Sequence, residues 1–297
     1  GAGGLLAALC RKEALVIVAV SLVFALILGG KKPKKICARF AALIVAVVMP
    51  YCIFTYVIVP SVGIGPGSSV EALSVPMQQV ARYARDNLDG LTNEELTQYD
   101  KYWSGGAQEV AELYQPNYAD PVKNAFLEEN LGDFLPFYLE WSVGHPFEFA
   151  ESLWASTYGY FYIGQTTGAP PVMVLFYDTA LDQVYEYEYL PVFSELRDLL
   201  SRWCSVWSDK PVLQWFVLPG LYVWLLIACL CYSIRRKAPP GMLAAVFMPL
   251  ALTVAAACVS PVDGYLRYVF GLVMVMPLML SYSMLFCFVP SDSNNSV

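Results

Sequence analysis

Histidine is almost absent from this chain of 297 residues, and His145 is the only one. A metal site built from several histidines is therefore excluded. Charged residues are also scarce, at 14% of the chain, against about 25% in an ordinary soluble domain. The sequence contains no Walker loop, no Rossmann glycine pattern, no G-x-S-x-G motif and no cluster with metal-ligand spacing. No motif therefore indicates a nucleotide, a resident cofactor or a metal.

The basic residues that are present are concentrated in two short loops between apolar runs. They are Lys31, Lys32, Lys34, Lys35 and Arg39 in one loop, and Arg235, Arg236 and Lys237 in the other. Short basic loops stay on the cytoplasmic side of a membrane. The polar stretch from Ser61 to Asp209 and the loop from Ser260 to Arg267 are therefore expected on the outer side.

The stretch from Ser61 to Asp209 is strongly acidic. It holds 22 acidic and 6 basic residues, which gives it a net charge of −16. A domain of this charge is a poor match for nucleic acid, whose binding proteins are basic. We therefore expect no nucleic-acid partner.

The apolar runs predict an α-helical polytopic protein of the plasma membrane, because runs this long and this free of charge are seldom anything but spans. The expected spans are Ala14–Gly29, Phe40–Val59, Leu213–Ile234, Met242–Val259 and Tyr265–Val289, after the last turns of a preceding span at 1–9. The expected domains are membrane helices with a basic cytoplasmic loop at 1–60, an extracytoplasmic domain at 61–209, three C-terminal spans at 210–290 and a disordered tail at 291–297. Such a chain is expected to be the C-terminal part of a longer protein.

The extracytoplasmic domain is expected to be mainly α-helical with one small β-hairpin. Apolar spacing and capping residues predict helices at Ser69–Asp86, from Thr92, at Glu109–Tyr114, from Asp120, from His145 and at Val192–Trp207. Alternation of apolar residues predicts the hairpin strands Val172–Tyr177 and Val184–Tyr189. The helix after His145 carries an aromatic stripe that is expected in the core of the domain. The stripe consists of Phe147, Trp154, Tyr158 and Phe161.

Four charged residues lie at the expected outer ends of spans, where charge near hydrocarbon is costly and usually has a partner or a function. They are Arg11, Lys12, Asp263 and Arg267. One interpretation is a site for a lipid phosphate, because Arg binds phosphate bidentately and Lys adds a point charge. The other is snorkelling at the interface, or an Asp263–Arg267 ion pair at i,i+4 spacing. The sequence leaves both interpretations open.

Further candidates lie within the outer domain. Arg82 and Arg85 are one helical turn apart, and they either reach an anionic headgroup or pair with nearby acids on a solvated face. His145 is a candidate general base, but its place before a proline suits a residue at the start of a helix. Asp120 is interpreted as an N-cap rather than a base. No pair of carboxylates has a spacing that singles it out, so the catalytic residue is unknown at this stage.

Several motifs occur in a distinctive order. They are EALSVPMQQVARY at 71–83, YQPNYADPVKN at 114–124, His145-Pro146, YGYFY at 158–162 and DGYLRY at 263–268. This order resembles the C-terminal half of an uncharacterised family of bacterial polytopic membrane proteins. That family is similar to the GT-C glycosyltransferases, the superfamily of protein mannosyltransferases and aminoarabinose transferases. The resemblance covers nearly the whole chain.

The resemblance implies transfer of a sugar from a polyprenyl-phosphate carrier to an unidentified acceptor on the outer side of the membrane. The catalytic carboxylate of such enzymes lies in the first outer loop, so it and any divalent cation bound there are expected in the preceding part of the protein. The implied phosphate ligands are Arg11, Lys12 and Arg267. Arg82, Arg85, His145 and Asp263 are further candidate contacts to substrate or headgroup from the residues themselves.

A non-enzymatic membrane sensor or scaffold is the alternative from a different class. Its outer domain would bind a ligand or a protein partner, and nothing within the sequence excludes it. A transporter is less favoured, because the expected spans hold almost no ionisable residues at mid-depth.

Overall fold

The structure is a computed structural model that describes residues 5, 9, 12–28, 38–39, 41–42, 44–63, 69–164 and 191–285. These residues are mostly helical and include isolated β-bridges but no β-strand. The prediction of a mainly helical chain is therefore confirmed for the described residues. The predicted hairpin strands and the predicted disordered tail lie outside them.

Two apolar helices come first in the chain. Helix α1 spans Lys12–Leu28, and helix α2 spans Val45–Ser61. The α2 region has π-helical turns at Ile44–Val48 and Phe54–Ile58. Pro50 lies in the α-helical turn between them, and because proline lacks an N–H, widened turns beside it are a common adjustment.

The domain that is expected outside the membrane follows. We call it the outer domain, and its described residues form short helices. They are α3 at Ser74–Asn87, α4 at Asn93–Tyr102, α5 at Gly106–Leu113, α6 at Asp120–Asn124, α7 at Leu131–Gly144 and α8 at Pro146–Ala155. Their core is rich in aromatic rings, and two of its largest side chains donate hydrogen bonds to backbone carbonyls. The Tyr99 hydroxyl donates to the Val80 carbonyl at 2.9 Å, and Trp103 Nε1 donates to the Val122 carbonyl at 3.1 Å.

Local chemistry explains where two of these helices begin. Thr92 and Glu95 form the predicted capping box, in which each side chain accepts from the backbone N–H of the other. Helix α3 begins at Ser74, after a 3₁₀ turn at Ser69–Leu73. Pro76 therefore falls in the first turn of α3, where its missing N–H has no intrahelical partner to lose.

One prediction about the outer domain is wrong, and one of its helices was not predicted. Phe147 is 85% exposed and Trp154 is 63% exposed, so these two members of the expected aromatic stripe are not in the core. Helix α8 instead buries Phe149 and Ser152, because it meets α3 with its opposite face. The sequence also did not predict α7, whose helical pattern is interrupted by Pro136.

The C-terminal part contains five further helices. They are α9 at Ser194–Asp209, α10 at Pro211–Gln214, α11 at Pro219–Arg235, α12 at Pro240–Cys258 and α13 at Phe270–Leu285. Helix α12 is the one helix among the described residues that is long and apolar enough to cross a membrane. Helices α1, α2, α11 and α13 are apolar but shorter.

Two of the expected spans begin later than predicted. Leu218 has an extended backbone, as the residue before a proline commonly does, so α11 begins at Pro219 instead of Leu213. A 3₁₀ turn at Leu266–Tyr268 precedes α13, and this turn holds residues that were expected within the last span.

A second core lies between α11, α12 and α13, with α1 packed against α12. Val223, Phe247 and Leu272 are among its buried side chains. The turn Tyr158–Tyr160 of the outer domain enters this core, where Tyr160 is fully buried. The outer domain is therefore anchored to the apolar helices by its own backbone turn.

Candidate functional site

A pocket of about 390 Å³ lies where the outer domain meets the turn before α13. One wall comes from the segment just before and at the start of α6, and the other comes from the turn between α12 and α13. The lining residues are Gln115, Asn117, Tyr118, Asp120, Val262, Tyr265 and Arg267. Two of the sequence motifs, which are more than a hundred residues apart, therefore face each other across one cavity.

Backbone hydrogen bonds hold the two walls together. The Ala119 N–H donates to the Pro261 carbonyl at 2.8 Å, and the Asp263 N–H donates to the Asn117 carbonyl at 3.0 Å. Tyr118 and Val262 form an antiparallel bridge between these bonds. The pocket is thus attached to the fold through main-chain contacts, which do not depend on side-chain rotamers.

Arg267 lies on the wall formed by the last turn, beside two tyrosine rings. Its guanidinium carbon is 4.5 Å from the centre of the Tyr265 ring and 5.0 Å from that of Tyr268. The guanidinium also donates to the Tyr268 hydroxyl at 3.1 Å. This bond raises the pKa of Arg267, and Asp120 contributes in the same direction through its charge. Arg267 is therefore a fixed cation with a carboxylate across the pocket.

The alternative ion pair between Asp263 and Arg267 is wrong. Gly264 has a φ of 64°, so the chain turns at this point and does not continue as the helix that i,i+4 pairing needs. The ion pairs of the described residues do not include Arg267. Its charge is thus left facing the pocket.

Asp120, on the opposite wall, belongs to a short chain of charges. Lys123 is only 8% exposed, and its Nζ lies 2.7 Å from Asp120 Oδ1 and 2.8 Å from Glu71 Oε2. Burial lowers the pKa of Lys123, but its bonds to Asp120 and Glu71 outweigh that effect and the pKa is raised. The Tyr118 hydroxyl bonds to Asp120 as well, which raises the pKa of Tyr118.

The interpretation of Asp120 as an N-cap is wrong. The N-cap of α6 is Ala119, and no side chain caps the helix. The Asp120 carboxylate instead forms an ion pair with Lys123 and a hydrogen bond with the Tyr118 hydroxyl beside the pocket. The Asp-Pro pair did mark the start of a helix, but the carboxylate pairs with Lys123 and does not cap the backbone.

Asp263 connects the turn that carries Arg267 to the outer domain. Its carboxylate is 4% exposed, and it accepts from the Gly159 N–H at 3.0 and 3.2 Å. Burial raises the pKa of Asp263 to about 6, although its bonds from Gly159 and Gly264 act in the opposite direction. A side chain at Gly159 has no room, because a Cβ there would lie 2.8 Å from Asp263 Oδ2 and 2.9 Å from Gly264 Cα.

The remaining candidates of the outer domain have structural roles. Arg82 pairs with Asp86 and Glu151, and Arg85 pairs with Asp86 while it lies over the Tyr114 ring. The interpretation that these two arginines pair with nearby acids is confirmed, but the Arg82 side chain is only 14% exposed and so does not lie on a fully solvated face.

His145 lies at the junction of α7 and α8, as its place before Pro146 predicted. Its ring packs 4.3 Å from the centre of the Tyr83 ring. It therefore has a packing role, and it does not line the pocket.

Arg11 lies outside the described residues, as does the side chain of Lys12, which is the first residue of α1. Among the described residues no group of three or more His, Cys, Asp and Glu side chains could hold a metal ion. Of the seven sequence candidates, Arg267 lines the pocket, and Asp263 holds the turn that carries Arg267 by accepting from the Gly159 N–H. Sequence reasoning missed Lys123, for which the only signal was its i,i+3 spacing from Asp120.

The profile of one protein family matches residues 3–286, and it is described as a family of unknown function, DUF6020. Because this match covers nearly the whole chain, the chain belongs to that family. Comparisons with curated proteins and with solved structures find no match.

Proposed function

We propose that this chain is part of a GT-C-like membrane glycosyltransferase and that its pocket holds the phosphate of a polyprenyl-phosphate sugar donor. The observation that carries this proposal is the position of Arg267. A guanidinium that lies against two tyrosine rings and donates to the Tyr268 hydroxyl is restrained before any ligand arrives. It is also the group best suited to bind two phosphate oxygens at once.

The proposed multi-pass arrangement supports this choice of ligand. Helix α12 begins three residues after the basic Arg235–Lys237 loop and ends at Cys258, just before the pocket. At a rise of 1.5 Å per residue, its 19 residues cover about 28 Å, close to the thickness of a bilayer core. With the basic loop on the cytoplasmic side, the pocket lies at the level of the outer headgroups, where a carrier phosphate is found.

The wall opposite Arg267 offers groups that suit sugar hydroxyls. Gln115 and Asn117 supply amides, and Asp120 supplies a carboxylate. Because Lys123 holds Asp120 by an ion pair, this carboxylate suits accepting a hydrogen bond better than removing a proton. Asp120 is therefore proposed as a contact to the sugar and not as the catalytic carboxylate.

The test is binding of a polyprenyl phosphate to the purified full-length protein in nanodiscs. Loss of a charged hydrogen bond predicts that Arg267→Ala weakens binding about tenfold to a hundredfold. Arg267→Lys is expected to fall between wild type and Arg267→Ala, because it keeps the charge but loses the planar fork. Arg11→Ala tests the other proposed ligand, and Arg235→Ala is the matched control at the far end of α12. Equal affinity of all five proteins would remove the pocket from lipid binding.

A ligand-binding sensor is the second candidate, and the pairing of Asp120 with Lys123 favours it. A pocket whose carboxylate is neutralised can bind a ligand without performing chemistry on it. The two candidates differ when the full-length protein is given a polyprenyl phosphate that carries a radiolabelled hexose. Release or transfer of the label supports the transferase, whereas saturable binding through Arg267 with the label retained supports the sensor.

A further inference from the structure

Helix α9 is strongly amphipathic. Its apolar residues recur at i, i+3, i+4 and i+7, which places them on one face of a helix. They begin in the 3₁₀ turn Pro191–Phe193 and continue through the helix. The members of this apolar face are Val192, Phe193, Leu196, Leu199, Leu200, Trp203 and Val206.

The apolar face of α9 is exposed rather than buried. Leu199 is 59% exposed, Leu196 is 50% exposed and Val206 is 46% exposed. Helix α3 of the outer domain behaves in the opposite way, since Met77 and Val80 are fully buried. No part of the described chain therefore covers α9 as the outer domain covers α3. An apolar face of this size in contact with water is rare on soluble proteins and marks an interaction surface.

The exposed apolar surface continues past the end of α9. Val212 is 63% exposed, and Trp215 and Phe216 are each 50% exposed in the short connection to α11. Trp224 and Ile227 then extend the surface along α11 itself, at 47% and 36% exposure. The apolar face of α9 is thus continuous in sequence with the outward side of a helix that the proposed arrangement places in the membrane.

We infer that α9 lies in the plane of the membrane, with its apolar face inserted among the lipids of the outer leaflet. Amphipathic helices with Leu and Trp on one face and charges on the other bind membranes in this way. The inference rests on the proposed membrane arrangement of the chain, but it does not depend on glycosyl transfer.

The polar face of α9 indicates what kind of lipid surface it fits. It carries both signs of charge, with the acids Glu195 and Asp198 and the bases Arg197 and Arg202. A helix that used anionic lipid would carry mainly Lys and Arg on this face. Insertion is therefore driven by burial of apolar surface and is expected in zwitterionic lipid alone.

The experiment compares two neighbouring positions in the full-length protein in phosphatidylcholine nanodiscs. An environment-sensitive fluorescent amino acid replaces either Leu199, on the apolar face, or Asp198, about a quarter-turn away on the exposed polar face. Lipid brominated on its acyl chains is expected to quench the probe at position 199 several-fold more than the probe at position 198. Dissolved iodide is expected to give the reverse order.

Each other outcome overturns the inference. If iodide quenches both probes equally, the helix stands free in water. If neither quencher reaches position 199, that face is covered by protein, either another segment or a second copy. If quenching by lipid appears only when phosphatidylglycerol is added, the contact is electrostatic. Binding of polyprenyl phosphate, measured on the same samples, reports separately on the proposed function.

Discussion

Asp263 and Gly159 are 104 residues apart in the sequence, yet the Gly159 N–H donates to both oxygens of the Asp263 carboxylate, at 3.0 and 3.2 Å. This contact joins the turn that carries Arg267 to the turn by which the outer domain enters the second core. The turn that carries Arg267 is thus tied to the outer domain by this contact.

Replacement of Asp263 by asparagine is expected to raise stability at neutral pH. The native pKa of about 6 lies above the ordinary value of 3.8, so the native state binds the proton more tightly than the unfolded state does. Stability attributable to Asp263 is therefore greatest at low pH, falls as the pH rises from about 4 to about 6, and is constant above that, with a total change of up to about 3 kcal/mol. Asp263→Asn keeps an oxygen that accepts from Gly159.

The measurement is the thermal unfolding midpoint in detergent between pH 4.5 and 7.5. The midpoint of Asp263→Asn is expected to exceed that of wild type at pH 7.5 and to approach it at pH 4.5. A variant that is less stable than wild type at pH 7.5 would show that the ionised carboxylate stabilises the contact between Asp263 and Gly159.

Gly159→Ala is expected to destabilise the protein by about 1–3 kcal/mol, the range for overpacking a close contact. The added Cβ would meet Asp263 Oδ2 at 2.8 Å and the Gly264 backbone at 2.9 Å, and backbone cannot move aside easily. Gly132→Ala is the matched control, because a Cβ at Gly132 in α7 has nothing within 4 Å. Unfolding midpoints of the two variants compare them directly, and equal midpoints would contradict the tight contact.

Loss of the Tyr265 ring is expected to weaken binding of a polyprenyl phosphate. The ring lies 4.5 Å from the Arg267 guanidinium carbon, and a cation–π contact at an exposed site contributes about 0.5–1 kcal/mol, or about threefold in affinity. Tyr265→Leu removes the ring, whereas Tyr265→Phe keeps it. A fall in affinity for both variants alike would assign the effect to the hydroxyl instead.

Lys123→Met is expected to lower both stability and ligand binding. The substitution leaves Asp120 and Glu71 without their shared cation, and breaking one side of a buried pair costs up to about 3–5 kcal/mol. We expect less here, on the order of 1–3 kcal/mol, because Glu71 is mostly exposed and salt and water screen it. Lys123→Arg should retain more of both properties, and unfolding midpoints with lipid titrations test this.

Helix positions were predictable wherever a local signal existed. The capping box at Thr92 is an interaction within four residues, and the turn at His145 follows from the proline after it. The face that each helix buries was less predictable. Phe147 and Trp154 have the spacing of a core stripe, but they are exposed, because burial depends on which neighbour a helix meets.

The candidate site shows the same division. Arg267 could be singled out from the sequence because a charge beside an apolar run is conspicuous. The sequence could not show whether Arg267 forms an ion pair with Asp263. That depends on the turn at Gly264 and on the hydrogen bond that Asp263 accepts from Gly159. The pairing of Lys123 with Glu71 likewise joins residues 52 positions apart.

The sequence by itself determined the helical character of the described residues, the acidic character of the middle of the chain and the starts of several helices. Each of these depends on composition or on contacts within one helical turn. The tertiary structure alone decided that Asn117–Asp120 and Val262–Arg267 share a pocket and that Asp263 supports it from behind. Those facts depend on contacts across more than a hundred residues, and they come from how the outer domain packs on the apolar helices.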